Sequence, residues 1–406
     1  MTTEYIPPTV SPTLHPMAEL ARRYRQTEHG LEAQMTPEEA IAIGGQPGML
    51  WWEVSNHASA LFLQGYTADA LEVAKRALKM KRAVNTLVNM AVILETMGRF
   101  EEALEYEEQA CGLVPLDDRA TALYGEALLR MGRFAAGWPL YVKNRASMDW
   151  CKMFIPEWEG PHQDLRRKKI IVIEGGGYGD NIYFLRWMAA LQQWGAEVTY
   201  LCQPSIAPLA RYLGYQVIEN WQGNVDICWT DYHYFVPLLS LGHKFGVTLE
   251  NYKWTGPYVW VRHQRRRMTV GFCWKAGEAK SPRKQRSLTN EQRERITKAL
   301  PKGYKWVNLS HGHTDDQMVS VKMDNWLDTA KAIAGLSAVV TVDTGVAHLA
   351  GAMGITCWTI LPGAAAWQYP LGHDRHPLYP SMRIFRNPRE GMEEAVDYVV
   401  AELSKY

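Results

Sequence analysis

Ser337-Ala338-Val339-Val340-Thr341-Val342-Asp343-Thr344-Gly345-Val346-Ala347-His348-Leu349-Ala350-Gly351-Ala352-Met353-Gly354 is the stretch from which the rest of the chain is read. Val339 to Val342 is a β-branched apolar run, the mark of a buried strand. Asp343-Thr344-Gly345 turns the chain, a short helix of small residues follows, and Gly354 ends it as a C′ glycine. Ile355 to Leu361 reads as the next strand. A strand, a tight polar turn and a helix N-terminus make an anion site, because the first free N–H groups, near Gly345, Val346 and Ala347, point outward and the helix dipole favours negative charge there. Gly345 has no side chain to hold a phosphate away. The plainer alternative is that Asp343 only caps a helix in an α/β domain.

Working back towards the N-terminus, the same grammar recurs. Ile170 to Ile173 reads as a strand, Glu174-Gly175-Gly176-Gly177-Tyr178-Gly179-Asp180 as a glycine loop, and Asn181 to Trp194 as a helix with apolar residues at 182, 185, 188 and 189. The glycines do not fit the dinucleotide fingerprint, and no acidic residue ends the following strand, Val198 to Leu201. Gly177 and Gly179 form the loop and Asp180 stands at the helix start. There it serves either as N-cap or as a general base opening into a cleft. Gln216 to Ile218, Val225 to Trp229, Pro257 to Val261, Met268 to Cys273 and Lys305 to Leu309 are further candidate strands. The aromatics between Trp229 and Trp254, with His233 and His243, read as packing. Trp274-Lys275-Ala276-Gly277 places a cation at a strand end, and Arg286-Ser287-Leu288 precedes a helix from about Asn290 to Leu300. His311 and His313 follow the strand at Lys305, and Asp324 to Ala334 is helical.

These units assemble into two Rossmann-like lobes with a cleft between facing strand ends. Lys275, Arg286, Ser287 and the helix at Thr344 suit a diphosphate on the second lobe, and the first lobe offers Asp180. No D-x-D carboxylate pair occurs in the sequence. No metal is therefore expected to hold the diphosphate; amides and cations carry its charge instead.

The first third is helical and repetitive. Gln64-Gly65-Tyr66, Met97-Gly98-Arg99-Phe100 and Met131-Gly132-Arg133-Phe134 are three versions of one turn, spaced by 33 and 34 residues. Ala70-Leu71 and Ala103-Leu104 hold matching places in the second helices. Gly137-Trp138-Pro139 replaces that pair in the third unit and implies a perturbed helix. A period of this length with Gly, an aromatic and Ala-Leu resembles the tetratricopeptide repeat. Such an array either binds a partner on its concave face or packs and dimerises. Before it, Met17 to Gln34 reads as a helix, and Thr36-Pro37 as another helix start.

Composition sets outer limits. At 406 residues with 47% apolar content and a net charge of +1, the chain is globular and multidomain, without a broad nucleic-acid footprint. Arg265-Arg266-Arg267 and the stretch from Lys280 to Arg286 are the densest basic clusters. The six cysteines form no C-x-x-C pair, which suits reduced thiols and a cytoplasmic location. Neither a signal peptide nor a membrane span is expected.

The motifs in combination carry a resemblance. Pro156-Glu157-Trp158-Glu159-Gly160, Gly177-Tyr178-Gly179-Asp180 with Phe184-Leu185-Arg186, Gly271-Phe272-Cys273-Trp274, Arg286-Ser287-Leu288, Asp328-Thr329-Ala330, the stretch from Asp343 to Gly351, and Tyr379 to Arg386 occur in order. From about 156 to 387 the chain resembles the heptosyltransferase-like GT-B glycosyltransferase domain found behind tetratricopeptide repeats, a distant relative of the protein O-GlcNAc transferases. The resemblance implies an α plus α/β chain. Its expected divisions are an extension at 1–50, repeats at 51–150, an acceptor-side lobe at 151–265, a nucleotide-sugar lobe at 266–388 and a helix at 389–406 returning to the first lobe.

It also implies inverting, metal-independent transfer from a nucleotide-sugar to a protein, glycan or nucleotide acceptor. By that resemblance Asp180 would be the base and Asp343, Thr344 and Gly345 would hold the donor's sugar and diphosphate, with His348 in the same motif; Lys275, which stands where relatives vary, and Arg286, Ser287 and Val346 are donor-side candidates from the reading of the residues themselves. A homodimer or protein partner would use the repeats. Where relatives carry Pro-Asp-Trp-Arg, this sequence has Ala365-Ala366-Trp367-Gln368, which leaves the donor's identity open. The competing readings are a repeat-based binding protein without catalysis and a transferase acting on a nucleic acid base or nucleotide. Were Asp180 structural, His311 or His313 would be the next candidates for the base.

Overall fold

The computed structural model describes residues 48–113, 118–145, 149–220, 227–251, 256–262, 268–277 and 286–405, with a short antiparallel pair, Gln26–Thr27 against Gly30–Leu31. At those four residues the pair replaces the expected helix Met17–Gln34. The remainder of that helix, the Thr36 helix start, Arg265 to Arg267 and the basic segment from Lys280 to Gln285 lie outside the described residues.

Among the described residues from 48 to 145 there are six helices: α1 (Trp51–Leu63), α2 (Thr67–Met80), α3 (Val84–Thr96), α4 (Phe100–Leu113), α5 (Asp118–Arg130) and α6 (Phe134–Arg145). They pack as consecutive pairs, α1 on α2, α3 on α4 and α5 on α6. The turn inside each pair has its glycine at positive φ, +87° at Gly65 and +77° at both Gly98 and Gly132, where a side chain would be strained. The substitution in the third unit does not break the helix, since α6 runs through Pro139. Instead Trp138 leaves the array. It lies buried among Phe134, Tyr141, Phe184 and Trp367, and its Nε1 donates to Val247 O at 2.7 Å.

The first lobe is a parallel sheet of β1 (Lys169–Ile173), β2 (Glu197–Cys202), β3 (Gln216–Glu219) and β4 (Tyr234–Pro237), in the order β3-β2-β1-β4. Helix α7 (Tyr178–Gln193) joins β1 to β2, and α8 (Ala207–Tyr212) joins β2 to β3. Residues 225 and 226 of the strand expected at Val225–Trp229 lie outside the described residues, and Ile227 to Trp229 form no strand. Trp229–Asp231 is a 3₁₀ turn, and the pairing strand is β4, whose Phe235 and Val236 lie opposite Ile171 and Val172. Pro257 to Val261, expected as a strand, joins none of the described sheets. The Tyr258 and Val259 N–H groups both donate to Ala352 O, at 2.9 and 3.1 Å, so this segment caps a helix rather than joining a sheet.

The second lobe holds β5 (Thr269–Cys273), α9 (Asn290–Lys298), β6 (Lys305–Asn308), α10 (Trp326–Ala334), β7 (Ala338–Val342), α11 (Gly345–Ala352), β8 (Cys357–Leu361), β9 (Met382–Arg386) and α12 (Glu393–Leu403). All five strands are parallel, ordered β9-β8-β7-β5-β6. The central strands are buried on both faces, as parallel sheets require. Val339 and Leu361 pack with α10 and α11, whereas Val340, Ile360 and Phe272 pack with α9 and α12.

Helix α12 therefore does not return to the first lobe as expected; it packs on α9, β8 and β9. Its stripe of Val396, Val399 and Leu403 covers a sheet face that would otherwise be bare. Glu393 fixes the helix to α9, accepting from Gln292 Nε2 at 2.6 Å and from Arg295 Nη1 at 2.7 Å.

Candidate active site

In each sheet the strand order reverses once, between β1 and β4 and between β5 and β7. Open α/β sheets bind ligands outside the carboxyl ends of strands at such points. A cavity of about 600 Å³ lies between the two reversals, lined by Gly177 to Asp180 after β1, by Cys273 and Lys275 to Gly277 at the end of β5, and by Asp343 to Val346 and His348 after β7.

From the first lobe comes Asp180. Helix α7 begins three residues earlier than the apolar spacing indicates, so Gly177 is its N-cap and Asp180 its third residue. The Gly177 N–H donates to Asp180 Oδ2 at 2.8 Å, and Gln368 Nε2 donates to Oδ1. Burial raises the carboxyl above its ordinary range. The negative charges of Asp343 and Glu126 push the same way, against the two hydrogen bonds. A raised carboxyl in a cleft is the condition of a general base or acid.

The second lobe presents a helix N-terminus that is left open. In α9, Thr289 accepts from the Gln292 N–H, and in α10, Asn325 accepts from the Leu327 and Asp328 N–H groups. At α11 the N-cap is Thr344, and its hydroxyl does not cap. It turns inward, 3.1 Å from Thr341 Oγ1 and 3.8 Å from Cys273 Sγ. Among the described residues the Gly345 and Val346 N–H groups accordingly have no acceptor. Arg286 Nη1 stands 3.3 Å from the buried Asp343 Oδ2, and Lys275 lines the wall without an ion pair to any described residue. His311 and His313 are exposed on the cavity's far wall, beyond β6.

Three expected residues have other duties. Ser287 does not reach this cavity. Its Oγ accepts from the Ala276 N–H at 3.0 Å, and it lines a separate space of about 320 Å³ against the repeats. Gly345 is hemmed in by Trp326: a Cβ there would lie 2.4 Å from the indole, so the missing side chain makes room for a ring. His348 is buried between the lobes, with Nε2 3.4 Å from Tyr369 Oη and Nδ1 3.5 Å from Tyr379 Oη. A Cβ on Gly179 would come within 2.9 Å of its ring. Burial lowers its pKa to about 4, so it is a neutral wedge in the lobe contact.

Sequence reasoning did not single out Tyr178, Trp326 or Gln368 as site residues. Tyr178 and Trp326, one from each lobe, meet with ring centroids 5.4 Å apart at the cavity wall. The Trp326 N–H also reaches Ser205 O across the lobes at 3.0 Å. An aromatic inside the glycine loop and another directly after a capping asparagine were the available signals.

Among the described residues no three His, Cys, Asp or Glu side chains gather as a metal site, and no helix is long and apolar enough to cross a membrane. Two Rossmann-type lobes whose strand ends share one cleft, behind a helical array, constitute the GT-B type of architecture. No family model and no curated protein matches the sequence.

Among solved structures the chain is similar to the E. coli heptosyltransferase WaaC with ADP, at 13% identity over 58% of this chain and 99% of that one, TM-score 0.39. It is similar to a family 9 glycosyl transferase from Veillonella parvula, at 12% over 55% and 87%, TM-score 0.40. An O-GlcNAc transferase variant from Thermobaculum terrenum is similar at 12% over 92% and 91%, TM-score 0.29. At such identities the likeness concerns the course of the chain alone.

Proposed function

We propose that the protein is a glycosyltransferase that moves a sugar from a nucleotide-sugar donor to an acceptor hydroxyl with inversion, Asp180 serving as general base. One observation carries the reading. A carboxylate of raised pKa on one lobe shares a single cavity with an uncapped helix N-terminus, Arg286 and Lys275 on the other. The donor diphosphate lies on the Gly345 and Val346 amides with its charge met by Lys275 and Arg286. Hydrogen bonds to charged groups contribute about 1.5–3 kcal/mol each, so a few of them suffice to stabilise a departing nucleoside diphosphate. Asp180 then takes the acceptor's proton as its oxygen attacks the anomeric carbon. Asp343, held by Arg286, faces the sugar. The acceptor is a protein, glycan or nucleotide.

A second reading, a nucleotide-binding repeat protein without transfer, is favoured by the engagement of both Asp180 oxygens in hydrogen bonds. A thermal-shift screen against UDP-, GDP-, ADP- and TDP-sugars, followed by release of nucleotide from the stabilising donor, separates the two. Turnover in wild type that collapses in Asp180→Asn supports the transferase. Donor binding with no turnover in either protein supports the binding protein.

A further inference from the structure

We infer that Gln368 is a positioning residue for the Asp180 carboxylate, and that the helical array fixes its place through Arg130. The inference rests on Asp180 being the base. The chain between β8 and β9 has no regular structure of its own, yet one residue of the array grips it twice. Arg130 Nε donates to Ala365 O at 3.1 Å, and Arg130 O accepts from the Leu371 N–H at 2.8 Å. Arg130 is the last residue of α5, and its buried guanidinium is paired with the equally buried Glu95 of α3. The grip is thus anchored on two helix pairs. Between the two tethers, Trp367 packs edge-on against Trp138 and Tyr141 of α6, with ring centroids 5.2 and 5.3 Å apart.

Gln368 follows directly, only 5% exposed. A carboxylate offers no proton, so the Gln368 amide must turn its NH₂ to Asp180 Oδ1. Its Oε1 is left buried without a partner. Gln368 lines both the cleft and an adjoining chamber of about 400 Å³ walled by α5 and α6, which Asp180 also lines. The donor that holds the base is neutral. A cation at this place would orient the carboxylate equally well and suppress its basicity; an amide orients it while leaving the charge available for a proton. The charged neighbours suit the same end. Asp343 and Glu126 oppose ionisation of Asp180, while Arg286 and Arg130 face the carboxylates of Asp343 and Glu95. His348 is neutral, and Lys275 stands at the cleft wall.

The test follows the ionisation of Asp180 in the intact chain by infrared difference spectroscopy, its carboxyl band assigned by loss in Asp180→Asn. Gln368→Met removes the donor at nearly constant volume, and the Asp180 midpoint should move up by about one unit or more, as loss of a hydrogen bond to a charged group requires. Gln368→Asn, too short to reach, should move it the same way if the first variant folds poorly. Arg130→Lys keeps the charge facing Glu95 but loses the guanidinium Nε–H, and should give a smaller upward shift. An unchanged midpoint in the folded Gln368 variants overturns the positioning role. A shift there with none in Arg130→Lys overturns the part assigned to the array. Turnover that survives Asp180→Asn instead overturns the catalytic reading, whatever the titration shows.

Discussion

At Asp180 a capping contact and the proposed role as base share one carboxylate, and the two respond differently to mutation. Asp180→Asn keeps an oxygen for the Gly177 N–H but cannot take a proton. Turnover should fall by about 10²–10⁴-fold, with donor affinity nearly unchanged. Because the folded pKa is raised above the unfolded one, ionised Asp180 weakens the fold at neutral pH, and this penalty fades as pH falls through the folded towards the unfolded value. The same variant should therefore melt higher than wild type near pH 7, a difference that scanning calorimetry would see shrink in acid. A lower melting temperature with turnover intact would mean that the aspartate is structural.

His348 has the opposite sign. Its folded pKa is depressed from 6.5 to about 4, so its contribution to stability is present above 6.5 and lost as pH falls towards 4. His348→Met should flatten that part of the melting-temperature profile, leaving the share due to His376, which burial also depresses. In Gly345→Val the new side chain must displace Trp326 as well as crowd the amides at the start of α11. The variant should lose both thermal stability and donor affinity. Residues of the site were legible where one short motif holds them together, as from Asp343 to His348. Gln368 was not, because its partner lies 188 residues away and nothing local marks the pairing.

Among the elements, periodicity told which face of a helix is apolar but not what covers it. The stripe Val396, Val399, Val400 and Leu403 was readable in α12, while its destination depended on whether the β7–β8 face facing α9 had another lid. Strand β4 was hidden because Tyr234-Phe235-Val236-Pro237 sits inside a run of aromatics and ends on a proline. Helix α6, expected to be perturbed, runs on through Pro139 and is specialised instead. Gly137 lets it approach α5, since a Cβ there would fall 2.9 Å from Leu129, and Trp138 leaves the array for the first lobe. Trp138→Ala should cost about 3–5 kcal/mol, the range for buried aromatic truncation. Urea denaturation should then resolve a separate loss of helix in the array, ahead of the lobes.

Across the whole molecule, the lobes meet chiefly through α7 and α11, around Arg186. That guanidinium lies over the rings of Tyr183 and Tyr379, at 4.5 and 4.4 Å, and its Nη1 donates to Leu378 O. If the proposed donor touches both lobes it would add to this seam, and at about 100 times its dissociation constant should stabilise the protein by ~2.7 kcal/mol. A thermal shift present in wild type but missing in a variant with both Lys275 and Arg286 replaced by Met would place the donor's charge on those two side chains. The grip of Arg130 on Ala365 and Leu371 bears finally on modularity. The helical array cannot be exchanged like a cassette: cutting the chain near residue 150 would take Phe134, Trp138 and Tyr141 from Trp367 and leave the stretch beside Asp180 to the bonds that Arg386 makes with Gly363 O and Tyr369 O. A grafted array would succeed only if it brought its own arginine and tryptophan to the same two places.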